Sequence, residues 1–163
     1  TLRPAFRKDG TVTAATSSSI SDGAAAVILM LESEATKRGL VPLARIIAHS
    51  AFAQAPAWFT TAPIFAVKNL QDRLGWTPDD VDLYEINEAF AVVTMAAMRD
   101  VGLNHSKVNV NGGACALGHP IGATGCRITV TLLHALRARG RKRGIATQCI
   151  GGGEATAIAL EIQ

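Results

Sequence analysis

Short apolar runs alternate along the chain with longer segments that mix apolar and polar residues. Short runs bounded by turn residues are typical of buried strands, whereas mixed segments with helical spacing are typical of helices. The pattern predicts strands at residues 11–14, 23–31, 42–50, 81–86, 108–111, 144–150 and 155–162, and helices at residues 32–38, 63–74, 87–101 and 121–139. Because strands and helices alternate, we expect an α/β protein with a largely parallel sheet, closed by a hairpin of the last two strands.

The start of the chain resembles its end. Residues 11–32 and 144–161 each show a β-prone segment, a turn of small residues and a second segment rich in alanine and aliphatic residues. If this likeness is an internal repeat, the first hairpin is the last piece of an upstream copy and the rest of the chain is one full repeat. A chance similarity of two hairpins is the alternative. The chain also begins at Thr1 rather than methionine, which suggests a fragment or a processed protein.

The composition excludes several classes of protein. Charged residues make up 18%, aromatic residues 5% and hydrophobic residues 48%, which is typical of a globular domain. The longest apolar run, at residues 23–31, is about half of the roughly 18 residues that a membrane span needs, so no membrane partner is expected. The three cysteines are spaced neither as a disulfide framework nor as a metal site, and no signal peptide is recognised. We therefore expect a reducing compartment, the cytoplasm, and no bound metal.

A basic stretch allows two interpretations. Of the 16 Lys and Arg residues, five lie close together: Arg137, Arg139, Arg141, Lys142 and Arg143. Such a run at a helix end is usually solvated and interacts favourably with the helix dipole. The alternative is a contact with an anion or a nucleic acid, which the net charge of +3 alone does not support. No nucleic-acid partner is predicted.

Three predicted strands end in residues that can do chemistry. Residues 87–90 follow the strand at 81–86, residues 118–120 follow the strand at 108–111, and residues 149–151 end the strand at 144–150. Ligand and catalytic sites of α/β sheets lie at the carboxyl ends of the strands. The sequence therefore predicts that these three segments converge at one edge of the sheet.

His119 is the strongest catalytic candidate on residue type and position. It lies between glycine-containing turns and directly before a helix, where a packed core histidine is not expected. An imidazole there can act as a base towards a thiol or as a donor to an oxyanion. A structural histidine is the alternative, and the other three histidines are interpreted that way.

Cys149 and Asn87 are the other two candidates. Cys149 precedes three glycines, whose backbone N–H groups can surround a developing oxyanion while the thiol acts as acid or base. A buried, inert cysteine is the alternative. Asn87 can hold a water or a carbonyl through its amide, or it can cap the helix that follows. Glu85 and Glu88 do not have the spacing of a catalytic carboxylate pair, and no nucleotide-binding fingerprint is present.

Several strings together resemble the thiolase family of acetyl-CoA acetyltransferases and 3-ketoacyl-CoA thiolases. These are NEAFA, NVNGGACALGHPIGATGCRI and QCIGGG, with TVTA and SDGAAA upstream. The resemblance covers nearly the whole chain and is to the C-terminal half of the family. It implies a mixed, mostly parallel five-stranded sheet of βαβαβαββ order flanked by helices.

The resemblance also implies roles for particular residues. His119 would activate a nucleophilic cysteine and, with a water held by Asn87, bind the thioester oxygen of acetyl-CoA. Cys149 would move the α-proton, and the N–H of Gly151 would complete a second oxyanion hole. Residues that match positions lining the pantetheine channel are Ser18, Ala89 and Phe90. The family's Gly-Asn-Ala-Ser-Gly turn is replaced here at residues 15–19 by Ala-Thr-Ser-Ser-Ser.

The nucleophile itself is missing, because no segment matches the family's nucleophile motif. We therefore expect residues 1–39 to be the terminal hairpin and helix of an upstream thiolase domain and residues 40–163 to be the thiolase C-terminal domain. The implied reaction is the reversible condensation of two acetyl-CoA, or thiolysis of 3-ketoacyl-CoA, with coenzyme A thioesters as substrates and no bound cofactor. The expected partners are an acyl-CoA, the upstream half and further copies of the chain. A non-catalytic acyl-CoA-binding or protein-binding domain is the alternative.

Overall fold

The computed structural model describes residues 2–163, which form an α/β protein as predicted. The helices are α1 (Glu32–Lys37), α2 (Ala62–Leu74), α3 (Ala91–Val101), α4 (Ala114–Leu117) and α5 (Thr124–Ala138). The strands are β1 (Ala44–Ala53), β2 (Leu83–Ile86), β3 (Arg143–Cys149) and β4 (Glu154–Ile162). None of the helices in residues 2–163 has both the length and the apolar character that crossing a membrane requires.

The sheet has four strands in the order β1-β4-β3-β2, not the expected five. Its β2–β3 pair is parallel, whereas β4 is antiparallel to both β1 and β3. The expectation of a mostly parallel sheet is therefore wrong. The reason is that β4 does not add to an edge after its hairpin but inserts between β1 and β3, so two of the three pairings are antiparallel.

The missing fifth strand is the segment at residues 108–111. Val108 makes an isolated parallel bridge with Tyr84, and the ladder stops there. Asn109 adopts a left-handed conformation with φ of 47°, which turns the chain away from the sheet. Its side-chain amide accepts from the N–H of Ile86 at 2.8 Å and donates to the carbonyl of Ile86 at 2.9 Å. The edge of β2 is thus satisfied by a side chain instead of by a strand.

The two strands predicted at residues 11–14 and 23–31 are also wrong. Ala14–Thr16 forms a 3-10 turn, and residues 22–31 form no regular element. The apolar side chains of this second segment are largely exposed, with Ile28 at 87% and Leu31 at 77%. A strand needs a partner edge for its backbone groups, and residues 2–163 provide none for this segment.

Helices cover both faces of the sheet. The side chains of Leu83, Ala146 and Leu160 pack with α5 on one face. Tyr84, Ile86 and Ile145 point to the other face, where α2 and α3 pack. Because side chains alternate along a strand, Glu85 and Asn87 share the face of Leu83 and point towards α5.

Candidate active site

Asn87 and His119 meet at the carboxyl end of β2. The backbone N–H of Asn87 donates to the carbonyl of Thr147 at 2.9 Å, which extends the β2–β3 ladder by one residue. Helix α3 consequently begins at Ala91 rather than at residue 87, with Phe90 in the N-cap position. The interpretation of Asn87 as a helix cap is therefore wrong. Its side chain is only 1% exposed, and its Nδ2 lies 3.4 Å from His119 Nε2.

The hydrogen bonds around His119 define its tautomer. His119 Nδ1 lies 2.7 Å from the hydroxyl of Thr124, and that hydroxyl donates to the carbonyl of Pro120 at 3.0 Å. A hydroxyl has one proton to donate, so with that proton on the Pro120 carbonyl the Thr124 oxygen accepts from Nδ1–H. Nε2 is then the unprotonated nitrogen, and it can accept from the amide of Asn87. The imidazole is thus held with its basic nitrogen towards Asn87.

Backbone contacts hold His119 in place. Its N–H donates to the carbonyl of Ser19 at 3.0 Å, and it forms an isolated bridge with Ile20. Gly118 precedes it with φ of 90°, and a Cβ there would come within 2.8 Å of the Ser21 Cβ. Burial, and after it the nearby Arg127 charge, lower the pKa of the imidazole. We conclude that His119 is uncharged at neutral pH, as a base must be.

Asn87 also leaves one polar atom without a partner. Its Oδ1 is buried and accepts no hydrogen bond from residues 2–163. A buried amide oxygen without a donor costs folding free energy, of the order of 1–3 kcal/mol. Such an orphan acceptor beside a basic nitrogen is the local environment expected of a site that binds a donor from outside the chain.

Cys149 and Gly151 lie at the neighbouring strand end. Cys149 is the last residue of β3, two positions beyond the Thr147 that pairs with Asn87, and it is 9% exposed. Burial raises the pKa of its thiol to about 11, so it carries its proton at neutral pH. Gly151 is exposed in the turn to β4, and its N–H makes no hydrogen bond to the backbone of residues 2–163. Cys149 makes no hydrogen bond to Asn87 or His119; it shares their edge of the sheet.

Ser18, Ala89 and Phe90 are brought together beside this edge. Both the N–H and the hydroxyl of Ser18 donate to the carbonyl of Ala89, each at 3.0 Å. Phe90 pairs with Ser17 through an isolated bridge, and its ring packs edge-on against Phe6 with ring centroids 5.7 Å apart. The serine-rich segment therefore ties the loop after β2 to the residues just before His119.

Three residues at this edge were not singled out from the sequence. Thr124 is fully buried and orients His119, while Glu85 and Arg127 form a buried ion pair between β2 and α5 with Nη1 and Oε2 4.0 Å apart. Burial raises the pKa of Glu85 to about 7, and Arg127 opposes that rise. For Glu85, the sequence does contain one signal: side chains alternate along a strand, which puts Glu85 on the same face as Asn87.

Three of the five residues in the basic stretch lie beside carboxylates. Arg141 lies 3.9 Å from Asp82, and Lys142 and Arg143 lie 3.3 Å and 3.0 Å from Glu161. This pairing favours the solvated interpretation over an anion site. In the part of the chain that the structure describes, no three His, Cys, Asp or Glu side chains are grouped as metal ligands.

Family models match almost the entire chain. The model described as thiolase, C-terminal domain matches residues 40–162, and the model described as thiolase, N-terminal domain matches residues 1–33. The chain belongs to the thiolase family.

Named relatives agree with this assignment. The acetyl-CoA acetyltransferase of Allochromatium vinosum is 52% identical over 98% of this chain and 41% of its own length. The cytosolic acetyl-CoA acetyltransferase of Mus musculus is 52% identical, again over 98% of this chain and 41% of its own. The chain thus spans about two fifths of the length of the curated relatives it matches.

Solved structures show the same fold. The crystal structure of the Bacillus anthracis acetyl-CoA acetyltransferase superposes with a TM-score of 0.97 at 46% identity, over 99% of this chain and 41% of that one. Human mitochondrial 3-ketoacyl-CoA thiolase, crystallised in complex with CoA, superposes with a TM-score of 0.92 at 42% identity and the same coverage.

Proposed function

We propose that this chain is the C-terminal portion of an acyltransferase that condenses two acetyl-CoA molecules, or cleaves a 3-ketoacyl-CoA, with a nucleophilic cysteine supplied by an upstream half. The observation that carries the proposal is the chain of hydrogen bonds from Asn87 through His119 to Thr124. It presents an unprotonated Nε2 beside an orphan amide oxygen, which is the arrangement a thiol-activating base needs. The similarity to acetyl-CoA acetyltransferases supports the choice of substrate.

His119 has two tasks in this proposal. Its Nε2 accepts and keeps the proton of the upstream cysteine, and the thiolate attacks the carbonyl carbon of an acyl-CoA. The C–S bond to coenzyme A then breaks, and the departing CoA thiolate takes the proton of the Cys149 thiol. In the carbon–carbon bond-forming step, the imidazole and a water held by Asn87 donate to the thioester oxygen of acetyl-CoA, where enolate charge develops. Each such donor contributes on the order of 3 kcal/mol in comparable oxyanion holes.

Cys149 moves the α-proton. In condensation its thiolate, left when the thiol protonates the departing coenzyme A, removes a proton from the methyl group of acetyl-CoA. The enolate carbon attacks the acyl group on the upstream cysteine, whose C–S bond breaks, and the released thiolate takes back a proton from His119. In thiolysis the Cys149 thiol returns a proton to the enolate. A thiol whose pKa is raised by burial is a stronger base once deprotonated, which suits an α-proton of low acidity. The N–H of Gly151 donates to the second oxyanion; that it makes no hydrogen bond to the backbone of residues 2–163 supports this role. Ser18, Ala89 and Phe90 line the approach of the pantetheine arm of the coenzyme A substrate.

Residues 1–39 are proposed to belong to the upstream thiolase domain and residues 40–163 to be the C-terminal domain. The boundary between the two family-model matches supports this division. The exposed apolar side chains of residues 27–31 give further support, because a surface of this kind is expected to be covered by more of the same protein. The complete enzyme is proposed to be a homo-oligomer in the cytoplasm that needs no bound cofactor; the cytosolic relative and the three free cysteines support that compartment.

A thiolysis assay with acetoacetyl-CoA tests the proposal. The isolated chain is expected to have no turnover, because it lacks the nucleophile. The same chain joined to the upstream three fifths of the Allochromatium vinosum relative is expected to recover it. Turnover by the isolated chain would contradict the missing-nucleophile argument. A folded joined protein that binds acyl-CoA without turnover would favour the non-catalytic alternative.

A further inference from the structure

A largely buried ion pair joins β2 to α5 near His119 and has no task in the proposed reaction. Arg127 Nη1 and Glu85 Oε2 are 4.0 Å apart, and the side chains are 20% and 3% exposed. Glu85 Oε1 and the Nε and Nη1 atoms of Arg127 have no hydrogen-bond partner among residues 2–163. Removing two charges from water with so few hydrogen bonds is unfavourable for folding. A contribution to folding stability therefore does not explain why the pair is present. Its position between β2 and α5, next to the site, does.

The pair and the site form two successive rungs between β2 and α5. Glu85 and Asn87 are two residues apart on the same face of the strand, and Thr124 and Arg127 are three residues apart on the same face of the helix. The outer rung is Asn87, His119 and Thr124. The inner rung is Glu85 and Arg127. Any shift of α5 along β2 would break both rungs together.

Arg127 is also the cation whose charge acts on the imidazole. The groups on the outer rung and the backbone of Ser19 are uncharged, and the Cys149 thiol at the end of β3 is protonated at neutral pH. Glu88, on the loop after β2, instead accepts the N–H of Cys115 at 3.0 Å. Among residues 2–163, Arg127 is the charge that acts on His119, and it opposes protonation.

We propose that Arg127, held by Glu85, is a positioning residue for His119: it fixes α5 against β2 and keeps the imidazole uncharged, so that Nε2 remains a proton acceptor. This inference rests on the proposed function of His119 as a base. Because Glu85 is mostly protonated in the pH range where His119 titrates, removal of Arg127 must raise the pKa of His119, whereas removal of Glu85 must leave it nearly unchanged. A purely structural pair would not produce that pattern, since loss of either partner would loosen the site in the same way.

NMR titration of the histidine side chains tests the inference in the chain itself, with the His119 signal assigned from its loss in His119→Gln. Arg127→Met is expected to raise the pKa of His119, because it removes the charge that opposes protonation. Arg127→Lys keeps the charge and is expected to shift it much less. Glu85→Gln is expected to leave it nearly unchanged, because Glu85, with a pKa of about 7, is mostly protonated where His119 titrates. The matched control is Arg137→Met, since Arg137 lies exposed at the far end of the same helix and its removal should leave His119 unchanged.

A double variant keeps the test valid if Arg127→Met alone unfolds around an unpaired Glu85. Glu85→Gln with Arg127→Met leaves no buried charge, and the pKa of His119 in it is expected to lie above that in Glu85→Gln. Unchanged titration in Arg127→Met, or similar upward shifts in Arg127→Met and Glu85→Gln, would overturn the inference. The NMR readout does not depend on turnover. If the joined protein is inactive but His119 shows the expected pKa shifts, only the proposed function is contradicted. If the joined protein is active but the pKa shifts are absent, only this inference is contradicted.

Discussion

The amide of Asn87 and the imidazole of His119 come within 3.4 Å of each other although 32 residues separate them in the chain. Two independent features produce this contact. The β2–β3 ladder carries Asn87 to the edge of the sheet, and the turn before α5 carries His119 to the same edge. The contact therefore depends on both the strand register and the helix start, and each can be altered separately.

Thr124 is expected to control the tautomer of His119. Thr124→Val keeps the shape of the side chain but removes the acceptor for Nδ1–H, so Nε2 no longer stays the unprotonated nitrogen. In the joined enzyme we expect kcat to fall by about 100-fold or more, in line with the large losses seen when a catalytic histidine takes the wrong tautomer. Steady-state thiolysis kinetics measure this.

Thr129→Val is the matched control for that substitution. Thr129 lies in the same helix and its hydroxyl donates to the carbonyl of Gly125 at 2.8 Å, away from His119. Its replacement should leave kcat within about two-fold, since surface and helix-backbone hydroxyls contribute little. Equal losses in the two variants would mean that the Thr124 effect is one of helix stability.

Gly118 is expected to be required for the turn that presents His119. A Cβ at this position meets the Ser21 side chain, and φ of 90° disfavours any L side chain. Gly118→Ala should lower the free energy of unfolding by about 2 kcal/mol and should disturb the His119 titration. Gly122→Ala, in the same loop with nothing within 4 Å of the added Cβ, should do neither. Chemical denaturation of both variants decides the matter, and an unaffected Gly118→Ala would count against the described turn.

The exposed apolar segment is expected to bind the upstream half. Ile28 and Leu31 are 87% and 77% exposed, so Ile28→Lys with Leu31→Lys should not disturb the fold of this chain. When the two halves are produced as separate chains, the double variant should fail to recover activity with the upstream half. Met95, in α3, is 60% exposed, and Met95→Lys should leave recovery intact. Full recovery with the double variant would show that the halves meet elsewhere.

Glu85 is expected to make stability depend on pH in a defined window. Its pKa is raised from the ordinary 4.5 to about 7, so the folded chain binds more protons than the unfolded chain between these values. Stability must then fall as pH rises through this window and level off above it. Relative to Glu85→Gln, the chain should be equally stable near pH 4.5 and less stable by about 3 kcal/mol at pH 8. Urea unfolding at the two pH values measures the difference, and a constant difference would contradict the burial of an ionisable Glu85.

The sequence was sufficient for the elements that have their own patterns. The helix at 63–74 begins at Ala62 and ends at Leu74 as glycine and proline signals predict, and the strands that hold Asn87 and Cys149 lie where the apolar runs put them. The sequence was not sufficient to predict which segments pair as strands of the sheet. The fifth strand fails because Asn109 turns the chain away, and the N-terminal hairpin fails because a β-prone segment forms a strand only when a partner edge is present.

The candidate site is likewise only partly predictable from the sequence. Residue type and position identified Asn87 and His119 from the sequence. Their direct contact, the tautomer set by Thr124 and the ion pair behind them depend on the register of α5 against β2, which no local pattern specifies. The spacing of Glu85 and Glu88 gives no sign of the pairing of Glu85, because its partner, Arg127, is a cation on another element.

A double-mutant cycle of Asn87→Ala and His119→Ala, measured as kcat/KM for acetoacetyl-CoA thiolysis by the joined enzyme, tests the central claim most directly. If the two side chains act as one site, His119→Ala costs about 1,000-fold or more, and adding Asn87→Ala to it costs little further. Losses that multiply would contradict the claim of a single site, and a His119→Ala enzyme with nearly full activity would contradict the role of the imidazole.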